Sequence, residues 1–235
     1  MKLYVEFLAL IGVVLVFAVA ANQRNLVWKD NLLLWSDVVR KSPDKARPYN
    51  NLADACEKRG LIDRAILLAK KSIALNPNLA EPHNNLGICY LDKGWADKAA
   101  LEFQHAVRIK PRFARAHTNL GLAYSKQGQK EMAIARHKQA LEINPYLVDA
   151  HNNLGVCYFD KGWIDQAISQ FQHAIQIDPN HADAHHNLGV AYGSKGRYDM
   201  AFKEMRIAKR LSAGWQWEKT AKEIKGKMPS IPGHP

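Results

Sequence analysis

The chain has 235 residues, 47% hydrophobic and 23% charged, a balance that excludes disorder over most of its length. Three cysteines (Cys56, Cys89 and Cys157) are too few for a disulfide framework and match no zinc spacing. The formal charge of +11 is spread along the chain, with an acidic stretch at 148–181 and a basic one from Lys203 to Lys227. No stripe of Lys and Arg interleaved with aromatics stands out, so nucleic-acid binding is not expected.

The first element is residues 1–23. Leu3 to Ala21 is apolar apart from Glu6, and that length of helix spans about 29 Å, close to the hydrocarbon thickness of a bilayer. A single transmembrane helix or signal anchor is expected. The alternative is a cleaved secretory signal, with Lys2 in its charged region, Phe7 to Phe17 as its apolar region and Ala18-Val19-Ala20 as the cleavage site. A buried soluble helix would need a core that hides every face of the segment, and the rest of the chain offers none. Arg24 and Lys29 after the span outweigh Lys2 before it, which points the following chain towards the cytoplasm.

Residues 24–45 form a linker and a lone helix. Asp30 to Ser42, before Pro43, places Leu34, Trp35 and Val38 on one face, suited to covering whatever follows.

From Ala46 a period of 34 residues takes over. Leu52, Leu86, Leu120, Leu154 and Leu188 recur at that interval, four of them followed by Gly87, Gly121, Gly155 and Gly189 and the first by Ala53. Tyr90, Tyr124, Tyr158 and Tyr192 come four residues after their leucines. Then follow Gly60, Gly94, Gly128, Gly162 and Gly196, and Ala65, Ala99, Ala133, Ala167 and Ala201; Pro77, Pro111, Pro145 and Pro179 close four of the units. Within a unit, the apolar or small residues at positions 4, 7, 8 and 11 share one face of a first helix. A second helix carries its own stripe, as in Ala99, Phe103 and Ala106. The small residues permit close approach, the later glycine suits the left-handed end of the first helix, and proline stops the second. A longer period is also present: His83 to Trp95 returns almost unchanged as His151 to Trp163, as if a two-unit block had been duplicated.

This pattern resembles the tetratricopeptide repeat (TPR) family over 46–215, with His83, His117, His151 and His185, and Tyr49, where that family usually has Trp. The resemblance implies an all-α fold: a right-handed superhelix of antiparallel helix pairs, made of repeats 46–79, 80–113, 114–147, 148–181 and 182–215. Helices of about a dozen residues are marginal alone, and stacked copies bury one another's apolar faces. A capping helix over 216–227, with Trp215 beside it, and a loose tail over 228–235 are expected to finish the array.

The junction Arg24-Asn25-Leu26-Val27-Trp28, then Leu34-Trp35-Ser36-Asp37 and Ser42-Pro43, is similar to that of transmembrane-and-TPR O-mannosyltransferase-like membrane proteins. That resemblance implies repeats on the extracytoplasmic side, and with the signal-like start it decides the expected placement against the flanking charge and the free cysteines. The multi-pass catalytic part of such proteins is absent, so no catalytic residue carries over.

The candidate chemistry is binding. No nucleophile–base–oxyanion set and no Gly-rich phosphate loop is visible, and neither cofactor, metal nor enzymatic activity is expected. The repeated histidines lie on successive units, about 8–10 Å or more apart, too far for bonds of about 2 Å to a shared metal. The cysteines fall on or beside the buried stripe. In the TPR family, positions 2, 5, 6, 9, 12 and 13 of the first helix line the concave surface. Position 6 here is Asn51, Asn85, Asn119, Asn153 and Asn187, with Asn84 and Asn152 beside two of them. An amide both donates and accepts, so such a row can pair with the backbone of an extended peptide, and it resembles the asparagine ladder of O-linked N-acetylglucosamine transferases. Ile88, Leu91, Leu122, Val156 and Phe159 offer apolar pockets along it. Arg47 and Arg115 alternate with Glu81, Asp149 and Asp183 at position 2, a mixture unlike the family's carboxylate clamp. The expected function is a membrane-anchored, non-catalytic scaffold that holds an extended segment of a partner protein. Two alternatives are the substrate-selecting portion of a membrane O-glycosyltransferase-like protein, and a self-assembling scaffold whose basic end docks on the acidic fourth repeat of another copy.

Overall fold

The computed structural model describes residues 30–212. Among the described residues the chain forms eleven α-helices and no strand. No helix among them is long and apolar enough to cross a membrane. The expected span within 1–23, the capping helix at 216–227 and the tail at 228–235 lie outside the described residues.

The chain divides between Gly94 and Trp95 into two compact units. In the first, α1 (Asn31–Lys41), α2 (Ala46–Glu57), α3 (Ile62–Leu75) and α4 (Ala80–Asp92) each pack on the next, and α2 also touches α4. The second contains α5 (Ala96–Ile109), α6 (Ala114–Lys126), α7 (Lys130–Ile143), α8 (Val148–Asp160), α9 (Ile164–Ile177), α10 (Ala182–Ser194) and α11 (Tyr198–Leu211). The same order of neighbours holds there, with α6 touching α8 and α8 touching α10.

The lone helix α1 begins at Asp30, whose carboxylate accepts from the Leu32 and Leu33 N–H groups at 2.8 and 3.4 Å. It ends on Arg40 and Lys41, charges that suit a helix C-terminus. Leu34, Trp35 and Val38 are half-buried and the helix packs on α2, so α1 shelters the first repeat.

The first helix of a repeat ends in a fixed way. Gly162 has φ +77° and donates to the Phe159 carbonyl at 2.9 Å, while Trp163 N–H reaches back to Tyr158 O at 2.9 Å. This is the paired bonding that closes helices on a left-handed residue, where a side chain is strained. An acidic residue opens each second helix, at Asp63, Asp97, Glu131, Asp165 and Asp199, where it suits the positive helix end. Four of these carboxylates also tie to the following repeat: Lys93 to Asp63 and Gln127 to Asp97, both at 2.8 Å, then Lys161 to Glu131 and Lys195 to Asp165. These contacts are exposed and contribute little energy, but they recur at each seam inside a unit.

The core is made by close helix crossings. A methyl group added at Gly155 would sit 2.5 Å from the Phe171 ring, and one at Gly189 would sit 2.8 Å from Met205. The small residue therefore makes room for the large one opposite. Leu86, Leu120, Leu154 and Leu188 are all buried, each worth about 1.5–3 kcal/mol of apolar burial. Two of the repeated tyrosines have their hydroxyls satisfied at the rim: Gln104 donates to Tyr124 at 2.9 Å and Gln172 to Tyr192 at 3.0 Å.

Candidate functional site

Positions 2, 5, 6, 9, 12 and 13 of a repeat's first helix fall within an arc of about 120°, at 100° per residue. In the first unit this face belongs to α2 and α4, in the second to α6, α8 and α10. Asn51, Asn85, Asn119, Asn153 and Asn187 are all half-buried, as are Ile88, Leu91, Leu122, Val156 and Phe159. None of the five carboxamides is sealed in the core. Asn84 and Asn152, counted with the open face from the sequence, are instead buried, at 5% and 8% exposure. They lie one residue earlier, hence about 100° round the helix, which turns them towards the next helix.

That turn produces a seam of amides. Asn187 Nδ2 donates to Asn152 Oδ1 at 2.9 Å, joining α10 to α8. Asn85 Nδ2 donates to Asn50 Oδ1 at 3.0 Å, joining α4 to α2, and Asn50 Nδ2 donates in turn to Asn51 Oδ1 at 3.2 Å. Part of the ladder's hydrogen-bonding capacity is thus spent between repeats. The seam between α6 and α8 differs. Thr118 occupies the place of the accepting asparagine, and its hydroxyl donates to its own helix at Ala114 O, 3.2 Å away. The Asn153 side chain makes no hydrogen bond among the described residues, so both N–H groups and the carbonyl of its amide remain available.

Charge brackets the amides. In the first unit a hollow of about 200 Å³ is lined by Arg47, Asn50, Asn51, Leu79, Glu81 and Pro82. In the second, exposed Arg115 and Lys126 flank the face on α6, exposed Asp149 and Asp160 flank it on α8, and Asp183 stands on α10. Asp149 lies 3.5 Å from His181.

The repeated histidines tie loops to helices. His117 Nε2 lies 2.9 Å from the Pro111 carbonyl oxygen, His151 Nε2 3.0 Å from Pro145 O, and His185 Nε2 3.1 Å from Pro179 O. Each of these three rings therefore clasps the proline near the end of the preceding repeat. On the other nitrogen, His151 meets Gln170 at 2.8 Å and His185 meets Glu204 at 2.6 Å. No group of three or more His, Cys, Asp or Glu residues among the described residues is placed to hold a metal ion. Cys56, Cys89 and Cys157 are free and buried. Burial raises all three thiol pKa values, that of Cys89 to about 12, so they are not poised as nucleophiles.

One residue with an unusual environment departs from the repeat motifs. His137 stands on α7 where its counterparts are Ala69, Phe103, Phe171 and Met205. It is fully buried, and neither ring nitrogen has a hydrogen-bond partner. Burial drives its pKa down to about 4. The signal was present in the sequence as one histidine in an otherwise apolar column.

Family models described as TPR repeat match residues 90–128 and 157–196. Those described as tetratricopeptide repeat match 114–147, then 68–100 and 138–169, then 46–79 and 182–213. They tile the repeats, and none corresponds to the O-mannosyltransferase-like resemblance at the junction. No curated protein matches. Among solved structures, MamA is 31% identical, with 73% of this chain and 97% of that one covered and a TM-score of 0.58. YrrB, described as a TPR protein with an unusual peptide-binding site, is 26% identical over 80% of this chain and 97% of its own, also with a TM-score of 0.58. The Cut9–Hcn1 hetero-tetramer of the APC/C is 22% identical, covering 85% of this chain and 41% of that one, and with a TM-score of 0.80 it shares the fold.

Proposed function

We propose that this chain, which belongs to the tetratricopeptide repeat family, is a non-catalytic scaffold that binds an extended segment of a partner protein along the open face of its first helices. The observation that carries the proposal is Asn153: a half-buried amide with its full bonding capacity unspent, flanked by Val156 and Phe159 on the same helix. An extended strand offers a backbone N–H and C=O with alternating direction, and one carboxamide can satisfy both. Half-buried apolar side chains beside it supply the area that a hydrogen bond alone does not. YrrB, a TPR protein with an unusual peptide-binding site, supports the same use of the fold.

The test is a pull-down with the full chain and with the double variant Asn119→Ala/Asn153→Ala. Loss of the recovered partners, with the helical circular-dichroism signal retained, is expected. Recovery of the same partners in the same amounts would overturn the reading.

Residues 3–21 are proposed as the tether that holds the scaffold at a membrane, with the repeats on the extracytoplasmic side. Membrane pellets that keep the chain after alkaline carbonate washing are expected, and protease added to intact cells should remove the repeats. Release by carbonate would overturn the tether, and protection from protease would overturn the side.

A further inference from the structure

Within the second unit the charges on the open face are ordered by helix. On α6 both flanking residues are cations, Arg115 near the start of the helix and Lys126 at its end. On α8 the same two places hold anions, Asp149 and Asp160, and on α10 the first holds Asp183 while the last is Ser194. All five charged side chains are exposed. Arg115, Lys126 and the Asp160 carboxylate form no ion pair among the described residues. Between the two charged edges, about 16 Å apart at 1.5 Å per residue, run the half-buried Leu122, Val156, Phe159 and Val190 and the amides of Asn119, Asn153 and Asn187. The face therefore changes sign along the stacking direction while its apolar and amide middle stays constant.

We propose that the partner of this face is an extended peptide of ordered charge: an acidic side chain over α6, then basic side chains over α8 and over α10. This rests on the peptide-binding reading above and adds the chemistry of the segment. Packed helices are about 8–10 Å apart, and an extended chain advances about 3.3 Å per residue, so one helix corresponds to about three residues. The ligand is accordingly acidic–x–x–basic–x–x–basic in one chain direction, with an apolar residue in the spacer beside Val156 and Phe159. A peptide of uniform charge meets like charge over part of the face, whichever its sign, and like-charge juxtaposition selects against it.

The experiment is selection from a random displayed library of nine-residue peptides on the purified full chain at low salt, repeated on two charge-reversed chains. These are Arg115→Glu/Lys126→Glu and Asp149→Lys/Asp160→Lys/Asp183→Lys, all at exposed positions. The expected result on the unaltered chain is enrichment of an acidic residue three and six places from basic ones. The first variant should shift the selected peptides to basic residues throughout, and the second to acidic residues throughout. Each variant should bind the original consensus at least tenfold more weakly. Peptides enriched without charge order, or with the same order on all three chains, would overturn the ordered-charge inference while leaving the groove itself standing. No enrichment on the unaltered chain, or equal enrichment on Asn119→Ala/Asn153→Ala, would overturn the peptide-binding reading and this inference with it.

Discussion

The third and fourth repeats occupy neighbouring places in one unit and share a backbone plan, yet they differ at each level of organisation. At the helix crossing, Gly121 faces His137 in the third repeat and Gly155 faces Phe171 in the fourth. At the seam, Thr118 accepts nothing from Asn153, whereas Asn152 accepts from Asn187. On the open face the third repeat is cationic and the fourth anionic. The contrast shows which features the fold demands and which it leaves free. Close crossings and helix ends are common to both repeats because the geometry fails without them. The identity of the large core residue, the seam acceptor and the flanking charge all vary on the same backbone.

The largest expected effect lies in the core. His137 is buried neutral, with a pKa of about 4 against 6.5 in an unfolded chain. A depressed pKa means that the unfolded state binds the proton more readily, so this contribution to stability is intact above pH 6.5 and is lost as pH falls towards 4. At 1.36 kcal/mol per unit the full loss is about 3 kcal/mol. His137→Phe copies the fourth repeat into the third. It should raise the melting temperature at neutral pH, because two unpaired ring nitrogens leave the core. The gap between variant and unaltered chain should widen steadily from pH 7 to pH 4.5. A gap that stays constant with pH would show that the imidazole is not held neutral by burial.

Next come the glycines that face these rings. Gly155→Ala puts a methyl group 2.5 Å from the buried Phe171, and overpacking of this kind costs about 1–3 kcal/mol. Gly121→Ala meets His137 at 2.6 Å and should cost a similar amount, since both rings are sealed. Thermal melts of the two variants check this. A benign Gly155→Ala would mean that the crossing can widen, and the proposed reason for small residues there would fail.

How much of this was legible in the sequence depends on whether the determinant is local. The leucine, glycine and proline columns announced the helices, because each repeat needs the same residue for the same steric reason. The His-for-Trp column was legible as packing, but its bond to Pro111, Pro145 or Pro179 was not, since a loop carbonyl leaves no mark in the sequence. Asn152 and Asn153 look equivalent in the sequence, yet one residue of helical rotation separates a buried acceptor from an open amide. His137 was legible in principle, as the one polar member of its column, and needed only a comparison with Phe103 and Phe171.

The seam separates those two asparagines by experiment. Asn187→Ala removes the donor to Asn152, whose carbonyl is buried, and should cost about 1–2 kcal/mol. Asn153→Ala removes no bond and should leave stability within about 0.5 kcal/mol, while weakening peptide binding. Thr118→Asn supplies the missing acceptor and should draw Asn153 into the seam, making the third repeat behave like the fourth. If denaturant midpoints of Asn187→Ala and Asn153→Ala coincide, the distinction between spent and unspent amides is wrong.

The smallest effect belongs to the exposed ties. Lys161 pairs with Glu131 at the seam between the third and fourth repeats, and Lys195 with Asp165 at the next. Both carboxylates have lowered pKa values, chiefly through the lysine bond, so the ties persist at neutral pH and weaken only as acid protonates them. Exposed pairs are nonetheless offset by side-chain ordering and screened by salt. Lys161→Ala and Lys195→Ala should therefore leave the melting temperature unchanged within error at physiological salt. A marked drop confined to Lys161→Ala would have a specific meaning. The seam that lacks the asparagine bond would then depend on its ion pair, and the two junctions would be held by different chemistry.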